Sequence, residues 1–334
     1  MTLAQLRYLV AIIDANLNIT LAAERVNATQ PGISKQLKVL EEELGFQIFI
    51  RKGKALERLS PAGAQVVERS RRILAEAANI RTLAENHRQE PKGELVIATT
   101  QTQARFVLPR ALKTLKAGYP DVSVRINMFA DAGRAEIAKQ DADILIASSV
   151  EWPHTPDLVV PLYNWDRVAV APLDHPLAKL GRPLTLQDLA EHPLIGYESA
   201  LGSHARVAEA FARANAPANF AYAAHDTEVI KTFVRSGFGV GLLAEMAMEE
   251  ADADLTKLPV SGLPSCTAYA LLRRDRVART YVLDLLSEVA PHVNRREIVR
   301  ALQPGSEPFL VKAPDWRAWK VLVNRSKATS AQAA

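Results

Sequence analysis

The chain of 334 residues holds a single cysteine, Cys266, so no intrachain disulfide can form and nothing in the fold depends on an oxidising compartment. No apolar stretch approaches the roughly 20 residues that cross a bilayer. The N-terminus has one basic side chain, Arg7, and an apolar run from Tyr8 to Ile13 that Asp14 breaks, without a small-residue cleavage site. The expectation is a soluble, cytoplasmic protein with no membrane partner. The seven histidines are scattered without a His-x-x-x-His pair, and no Gly-x-Ser-x-Gly occurs, so no metal site, catalytic residue or cofactor is expected. Nor is there a strong charge bias: the formal net charge is +4, and residues 1–60 carry eight Lys/Arg against six Asp/Glu. Local arrangement, more than total charge, has to identify the partners.

What is present is an ordinary globular balance, 48% hydrophobic and 23% charged, in a length that suggests two or three folded units. Leu3, Leu6, Leu9/Val10 and Ile13 recur at helical spacing, so 3–16 read as an amphipathic helix. Asn18 caps a second helix with Leu21, Ala22 and Val26 inward, and Thr29 caps a third, with Pro31 in its first turn and Ile33, Leu37, Leu40 and Leu44 on one face. The opposite face begins with Gln30, Ser34, Lys35 and Lys38. Segments 46–50 and 56–59 read as two short strands around a basic tip, Arg51-Lys52-Gly53-Lys54. A helix with amide, hydroxyl and ammonium groups at its positive end, beside a basic hairpin, suits major-groove reading with a wing on the backbone. A three-helix packing module with a solvated charged face is the alternative that spacing alone leaves open.

The run Ala22-Ala23-Glu24, Gln30-Pro31-Gly32-Ile33-Ser34-Lys35-Gln36-Leu37, Leu40-Glu41-Glu42-Glu43-Leu44-Gly45, Phe49-Ile50-Arg51 and Ser60-Pro61-Ala62-Gly63 resembles the DNA-binding domain of LysR-type transcriptional regulators. The resemblance implies double-stranded promoter DNA as a partner, with Thr29, Gln30, Pro31, Ser34, Lys35, Lys38, Arg51, Lys52 and Lys54 as candidate contacts. From Ser60 a helical pattern runs to about His87, with Val66, Ser70, Ile73, Ala77, Ile80 and Ala84 at coiled-coil spacing. It would pair with a second copy or lie on its own body; the resemblance implies a dimerisation linker. Residues 90–93, Glu-Pro-Lys-Gly, end it as a hinge.

Beyond the hinge, short apolar strands alternate with helices: 94–99, 106–117, 122–128, 133–140 and 142–148, then 168–172, 186–190, 194–197, 204–214, 220–224, 227–236 and 240–243. A strand at 267–275 and a helix at 277–290 return to the first lobe. Mostly parallel sheets in two lobes would enclose a cleft, with ligand beyond the carboxyl ends of strands. Residues 99–103, Thr-Thr-Gln-Thr-Gln, fill such a position and Ser148 and Ser149 end a neighbouring strand, making an anion pocket without a cationic side chain; plain N-caps and turn residues are the other reading.

Residues 99–105, 163–167, 174–177 and 229–241 are similar to the CysB-like subgroup of the family, over residues 1 to about 292. This resemblance implies control of sulfur assimilation and cysteine biosynthesis by sulfate, thiosulfate or acetylated serine in the cleft. It places Thr100, Thr102 and Gln103 in the anion pocket, with Ser148 where the subgroup usually has threonine. Gly202 stands where another threonine is expected, leaving Ser203 as a shifted substitute. Regulation of sulfonate use or of another pathway is the alternative, and a solute-binding protein a more distant one.

The expected architecture is an N-terminal winged helix-turn-helix (1–60) and a linker helix (61–90), followed by a two-lobed α/β effector domain like the periplasmic binding proteins (91–292). Lobe I spans 91–165 and 267–292, lobe II 166–266, and a basic extension (293–334) carries Trp316 and Trp319 without an assigned role. A homodimer or homotetramer is expected, with RNA polymerase a further candidate partner. Lys231 and Arg235, one helical turn apart, read as a solvated face more readily than as an anion site. The run from Gly237 to Gly241 reads as a helix C-cap, because it follows a helix and enters a strand.

Overall fold

The structure is a computed structural model that describes residues 1–53, 55–88, 92–129, 142–198, 206–303, 306 and 309–331, with the side chains of 326–331 left undescribed. It divides into two compact units, one of Met1–Gln89 with Asp275–Val277, the other of Glu90–Arg274 with Ala278–Ala334.

The first unit begins with α1 (Leu3–Asp14), α2 (Ile19–Arg25) and α3 (Gln30–Leu44). The expected caps are made: Asn18 Oδ1 accepts from the Leu21 amide at 3.0 Å and Thr29 Oγ1 from the Gly32 amide at 3.2 Å. Leu6, Leu9, Ile12, Ala22, Ala23, Ile33, Leu37 and Leu40 form the core, whereas Leu3 (41% exposed) and Leu21 (37%) stay outside it. Ala23 takes the inward position expected of Leu21 because close helix approach favours the smaller side chain. The hairpin is β1 (Phe49–Lys52) against β2 (Ala55–Leu59), antiparallel, with Gly53 at φ +63° in the turn. Its first strand starts three residues later than expected, so Arg51 and Lys52 are strand residues and not the tip.

The linker helix α4 (Pro61–Arg88) starts where Ser60 Oγ accepts from the Gly63 amide at 2.9 Å and donates to the Gln47 carbonyl at 2.8 Å. A Cβ on Gly63 would lie 2.0 Å from the Ile48 carbonyl oxygen, so only glycine permits this crossing. The helix then changes character. Val67 and Ser70 are buried in the unit, while Ile73, Ile80 (62% exposed) and Leu83 face outward as an apolar stripe.

The second unit starts with β3 (Gly93–Thr99), α5 (Gln101–Phe106), α6 (Leu108–Gly118), β4 (Val122–Met128), β5 (Ile144–Ser149) and β6 (Leu158–Trp165). It continues with β7 (Arg167–Pro172), α7 (Leu186–Ala190), β8 (Leu194–Tyr197), α8 (Arg206–Arg213), β9 (Phe220–Ala224), α9 (Thr227–Arg235), β10 (Val240–Ala244) and β11 (Leu255–Pro259). It closes with β12 (Cys266–Leu272), α10 (Thr280–Val289), α11 (Arg295–Ala301) and α12 (Trp316–Ala331). Two five-stranded sheets result, ordered β4-β3-β5-β12-β6 and β11-β7-β10-β8-β9. The chain passes between them at Trp165–Arg167 and returns at Cys266, as a two-lobed fold requires.

Each sheet is mixed and not mostly parallel: β12 runs antiparallel to β5 and β6, and β7 to β10 and β11. Strands β6 and β11 were not anticipated. Both are edge strands, and β6 carries Pro161 beside a register shift, which is where a sheet tolerates proline. The helix expected over 106–117 is α6, which starts at Leu108 with Pro109 in its first turn, where a proline is tolerated; the separate short helix α5 precedes it, with Val107 between the two. The helix expected at 133–140 and the hinge residues 90 and 91 lie outside the described residues. Gly237, at φ +77°, ends α9 as a C-cap, with its amide on the Val234 carbonyl and that of Phe238 on Phe233.

Candidate functional site

The outward face of α3 holds one set of expected residues. Opposite buried Ile33, Leu37 and Leu40, the side chains of Gln30, Pro31, Lys35 and Lys38 are exposed, Thr29 is exposed at the cap, and Ser34 is half-buried. Lys38 lies 3.6 Å from Glu42 in an exposed pair that leaves its charge available to a phosphate. Arg51 is different. Its Nη2 donates to Glu41 Oε2 at 3.0 Å, while Glu41 Oε1 accepts from the Ile48 and Phe49 amides at 2.8 and 3.3 Å. Glu41 is buried, so part of the Arg51 fork is committed to neutralising it. Lys52 is exposed on β1, and Lys54 lies outside the described residues.

In the second unit a cavity of about 430 Å³ opens at the carboxyl ends of β3 and β5, lined on one side by Thr100, Thr102, Gln103 and Ser148, and on the other by Tyr197, Glu198 and His225. Four of the five residues expected to hold an effector thus face one space; Ser203, with Gly202, lies outside the described residues. Thr100 stands at the N-cap of α5, yet its side chain makes no capping bond, which leaves the hydroxyl for a ligand. Gln103 is buried and donates from Nε2 to Ser148 Oγ at 2.9 Å. The Trp165 indole N–H, a donor only, also reaches Ser148 Oγ, at 3.1 Å. With both lone pairs of Ser148 occupied, its own O–H remains to donate, and it calls for an acceptor in the cavity.

A residue that sequence reasoning missed is Arg167. It lines the cavity with its guanidinium 5.2 Å over the Trp165 ring, Nη1 being 3.2 Å from the Pro264 carbonyl and 3.1 Å from Cys266 Sγ. The pocket therefore has the cationic side chain that the reading from residues 99–103 did without. The available signal was its position, two residues past the end of β6 and first in β7, where the chain changes lobes. Glu198 and His225 pair at the rim. Across the cleft, Gln101 Nε2 donates to Asp226 Oδ2 at 2.5 Å, and Arg105 bridges Glu228 at 2.9 Å and Glu249 at 2.7 Å.

Lys231 and Arg235 do not form a solvated face. Lys231 is 1% exposed; its Nζ lies 2.8 Å from Asp252 and 2.7 Å from Glu228 and donates to the Ala247 carbonyl at 3.2 Å. Arg235 holds Asp252 and Asp254. Burial works to raise the Asp252 carboxyl, but hydrogen bonds from Lys231, the Glu249 amide and Arg235 outweigh it and bring the pKa down to about 2. Among the described residues, no group of three or more His, Cys, Asp or Glu is placed to hold a metal, and no helix is long and apolar enough to cross a membrane.

Residues 3–64 match the model of the bacterial regulatory helix-turn-helix protein, lysR family, and residues 88–294 match the LysR substrate binding domain. The chain belongs to the LysR family. It is 37% identical over 305 residues to the HTH-type transcriptional regulator CysB of Haemophilus influenzae, covering 90% of this chain and 94% of that one. It is 35% identical over 308 residues to the HTH-type transcriptional regulator SsuR of Burkholderia cenocepacia, covering 91% and 99%. Among solved structures, the cofactor-binding domain of the Cbl transcriptional regulator superposes with a TM-score of 0.58 at 32% identity, over 65% of this chain and 96% of that one. The protein is therefore a LysR transcriptional regulator, of a family that acts through DNA and small effectors and not as enzymes, and its winged helix and two-lobed unit are the two domains of that family.

Proposed function

We propose that this LysR regulator governs sulfur-assimilation genes and that its cleft takes a small sulfur-related anion, sulfate or thiosulfate, or acetylated serine. The observation that carries the effector reading is Ser148, whose two lone pairs are filled by Gln103 and Trp165 so that only a donor faces the cavity, beside the Thr100 hydroxyl and the Arg167 guanidinium. Donors and a cation facing one space select an acceptor of negative charge. Thr29, Gln30, Pro31, Ser34, Lys35, Lys38, Lys52 and Lys54 are the proposed DNA contacts, with Arg51 dividing its fork between Glu41 and the backbone. The protein acts as a dimer or tetramer in the cytoplasm, bringing two recognition helices to the halves of an inverted repeat, with RNA polymerase as a downstream partner. Effector binding favours one arrangement of the lobes and thereby of the oligomer, a population shift that changes how promoter DNA is held.

The volume admits a second reading within the same class beside acetylated serine. About 430 Å³ lies in the range of sites for organic ligands, so an acid bearing a carbon skeleton, as in a regulator of sulfonate use, fits the same donors. Calorimetric titration of the full chain with sulfate, thiosulfate, acetylated serine and an alkyl sulfonate separates the two. Binding of one of the first three supports the first reading, and binding of the sulfonate alone supports the second. No binding by any of them overturns the cleft assignment. A footprint on promoter DNA that stays the same at saturating effector rejects the coupling.

A further inference from the structure

We propose that the C-terminal segment from Ala313 to Val323 is a positioning element of the effector cleft, acting through Tyr163, an inference that rests on the effector reading above. The segment first completes the free edge of lobe I. Strand β6 is the last of its sheet, and beyond its neighbour β12 its Asn164 amide donates to the Pro314 carbonyl at 2.8 Å, with an isolated parallel bridge between Asn164 and Asp315. Asp315 Oδ1 then accepts from the Ala318 amide at 2.9 Å and starts α12.

Two turns of that helix deliver Trp316, Trp319 and Val323 into the core of lobe I. The indoles stack on each other with centroids 5.0 Å apart, and both lie on the Tyr163 ring, at 4.9 and 4.7 Å. Trp319 Nε1 donates to the Val289 carbonyl at 2.8 Å, which fixes the ring in its plane.

Tyr163 is fully buried, and burial holds its phenol protonated. The hydroxyl donates to Gln103 Oε1 at 2.5 Å, and that bond leaves the Gln103 amide nitrogen directed at Ser148. A directed series results: the indoles of the tail set the phenol, the phenol sets the amide, and the amide with Trp165 leaves the Ser148 proton for the ligand. The alternative is that the tail only fills volume behind the sheet. Filling volume would change stability without changing the affinity of molecules that are folded.

The test is calorimetric titration of full-length wild type, Tyr163→Phe, Trp319→Ala and Trp319→Phe with sulfate, thiosulfate and acetylated serine, beside the thermal midpoint of each. Tyr163→Phe keeps the ring on the indoles and removes only the donor, and affinity of the folded protein should fall about tenfold, beside a drop in midpoint from the unpaired Gln103 carbonyl that Trp319→Phe does not share. Trp319→Ala should weaken binding in the fraction that is folded, and Trp319→Phe should restore most of it. Wild-type affinity in folded Tyr163→Phe and Trp319→Ala overturns the positioning role while leaving the cleft reading intact. Absence of binding by wild type to all three probes overturns both. Should Trp319→Ala not fold, Tyr163→Phe decides alone.

Discussion

The anion pocket of lobe I and the ion-pair cluster of lobe II are both polar networks built around a helix, and they end in opposite conditions. Around α5, neutral groups arranged in one direction leave a hydroxyl proton of Ser148 over, next to open space. Around α9, Lys231 and Arg235 find their counter-charges inside the lobe, in Asp252, Asp254 and Glu228, and nothing points to a ligand. The richer charge is the structural one. A buried charge has to be neutralised during folding, so it is spent there, whereas a neutral donor series can be satisfied and still present one unmatched end.

That contrast can be broken in graded steps. The largest effect is expected from Lys231→Ala, which strips the buried Asp252 carboxylate of a partner and should cost about 3–5 kcal/mol of stability. Chemical denaturation should show a much lower midpoint, with effector affinity of the folded protein unchanged; a near wild-type midpoint would refute the structural role. Ser148→Ala should act on both quantities: it removes about 1.5–3 kcal/mol of anion affinity, and by stranding the Gln103 amide and Trp165 indole donors it costs about 1–3 kcal/mol of stability, less than Lys231→Ala. Calorimetry and denaturation on the same sample check both halves.

A milder effect comes from pH. The Asp252 pKa of about 2 lies below its unfolded value near 3.9, so its contribution is fully present above pH ~4 and is lost as the pH falls through about 2. An acid unfolding curve should show this loss, and Asp252→Asn should remove its pH dependence. Smallest of all is Lys38→Ala on the recognition helix, whose exposed pair with Glu42 should change stability by less than about 0.5 kcal/mol. If Lys38 meets a phosphate, the salt dependence of promoter binding should drop by about one unit of slope. An unchanged slope would remove it from the interface.

Much of the fold could be read from periodicity and caps: Asn18, Thr29 and Ser60 start their helices as expected, and β4, β8, β9 and α7 fall on the expected residues. What escaped was set by partners distant in the chain. Leu21 looks inward on a helical wheel but stays exposed while Ala23 is buried, the apolar run of β6 is interrupted by Pro161, and β11 is a short strand of five residues that ends in a proline. At the cleft, Thr100, Thr102, Gln103 and Ser148 were legible because strand ends and helix starts gather ligands. Arg167, whose only signal was its place where the chain changes lobes, and Tyr163, which reaches the cleft only through Gln103, were not, because nothing local tells which strand residues touch the cavity or its supports. The difference between Lys231 as a surface ammonium and Lys231 as a buried one was decided by Asp252, 21 residues away.

Glu41 has a consequence for how the regulator meets DNA. One carboxylate, rooted in the reading helix, grips the amides of Ile48 and Phe49 and the guanidinium of Arg51 at the foot of the hairpin. Helix and hairpin are therefore the two jaws of a calliper with its screw tightened. A duplex whose grooves differ from that preset opening would have to do the bending itself, and local stiffness of the DNA would then join base contacts in deciding where the protein settles.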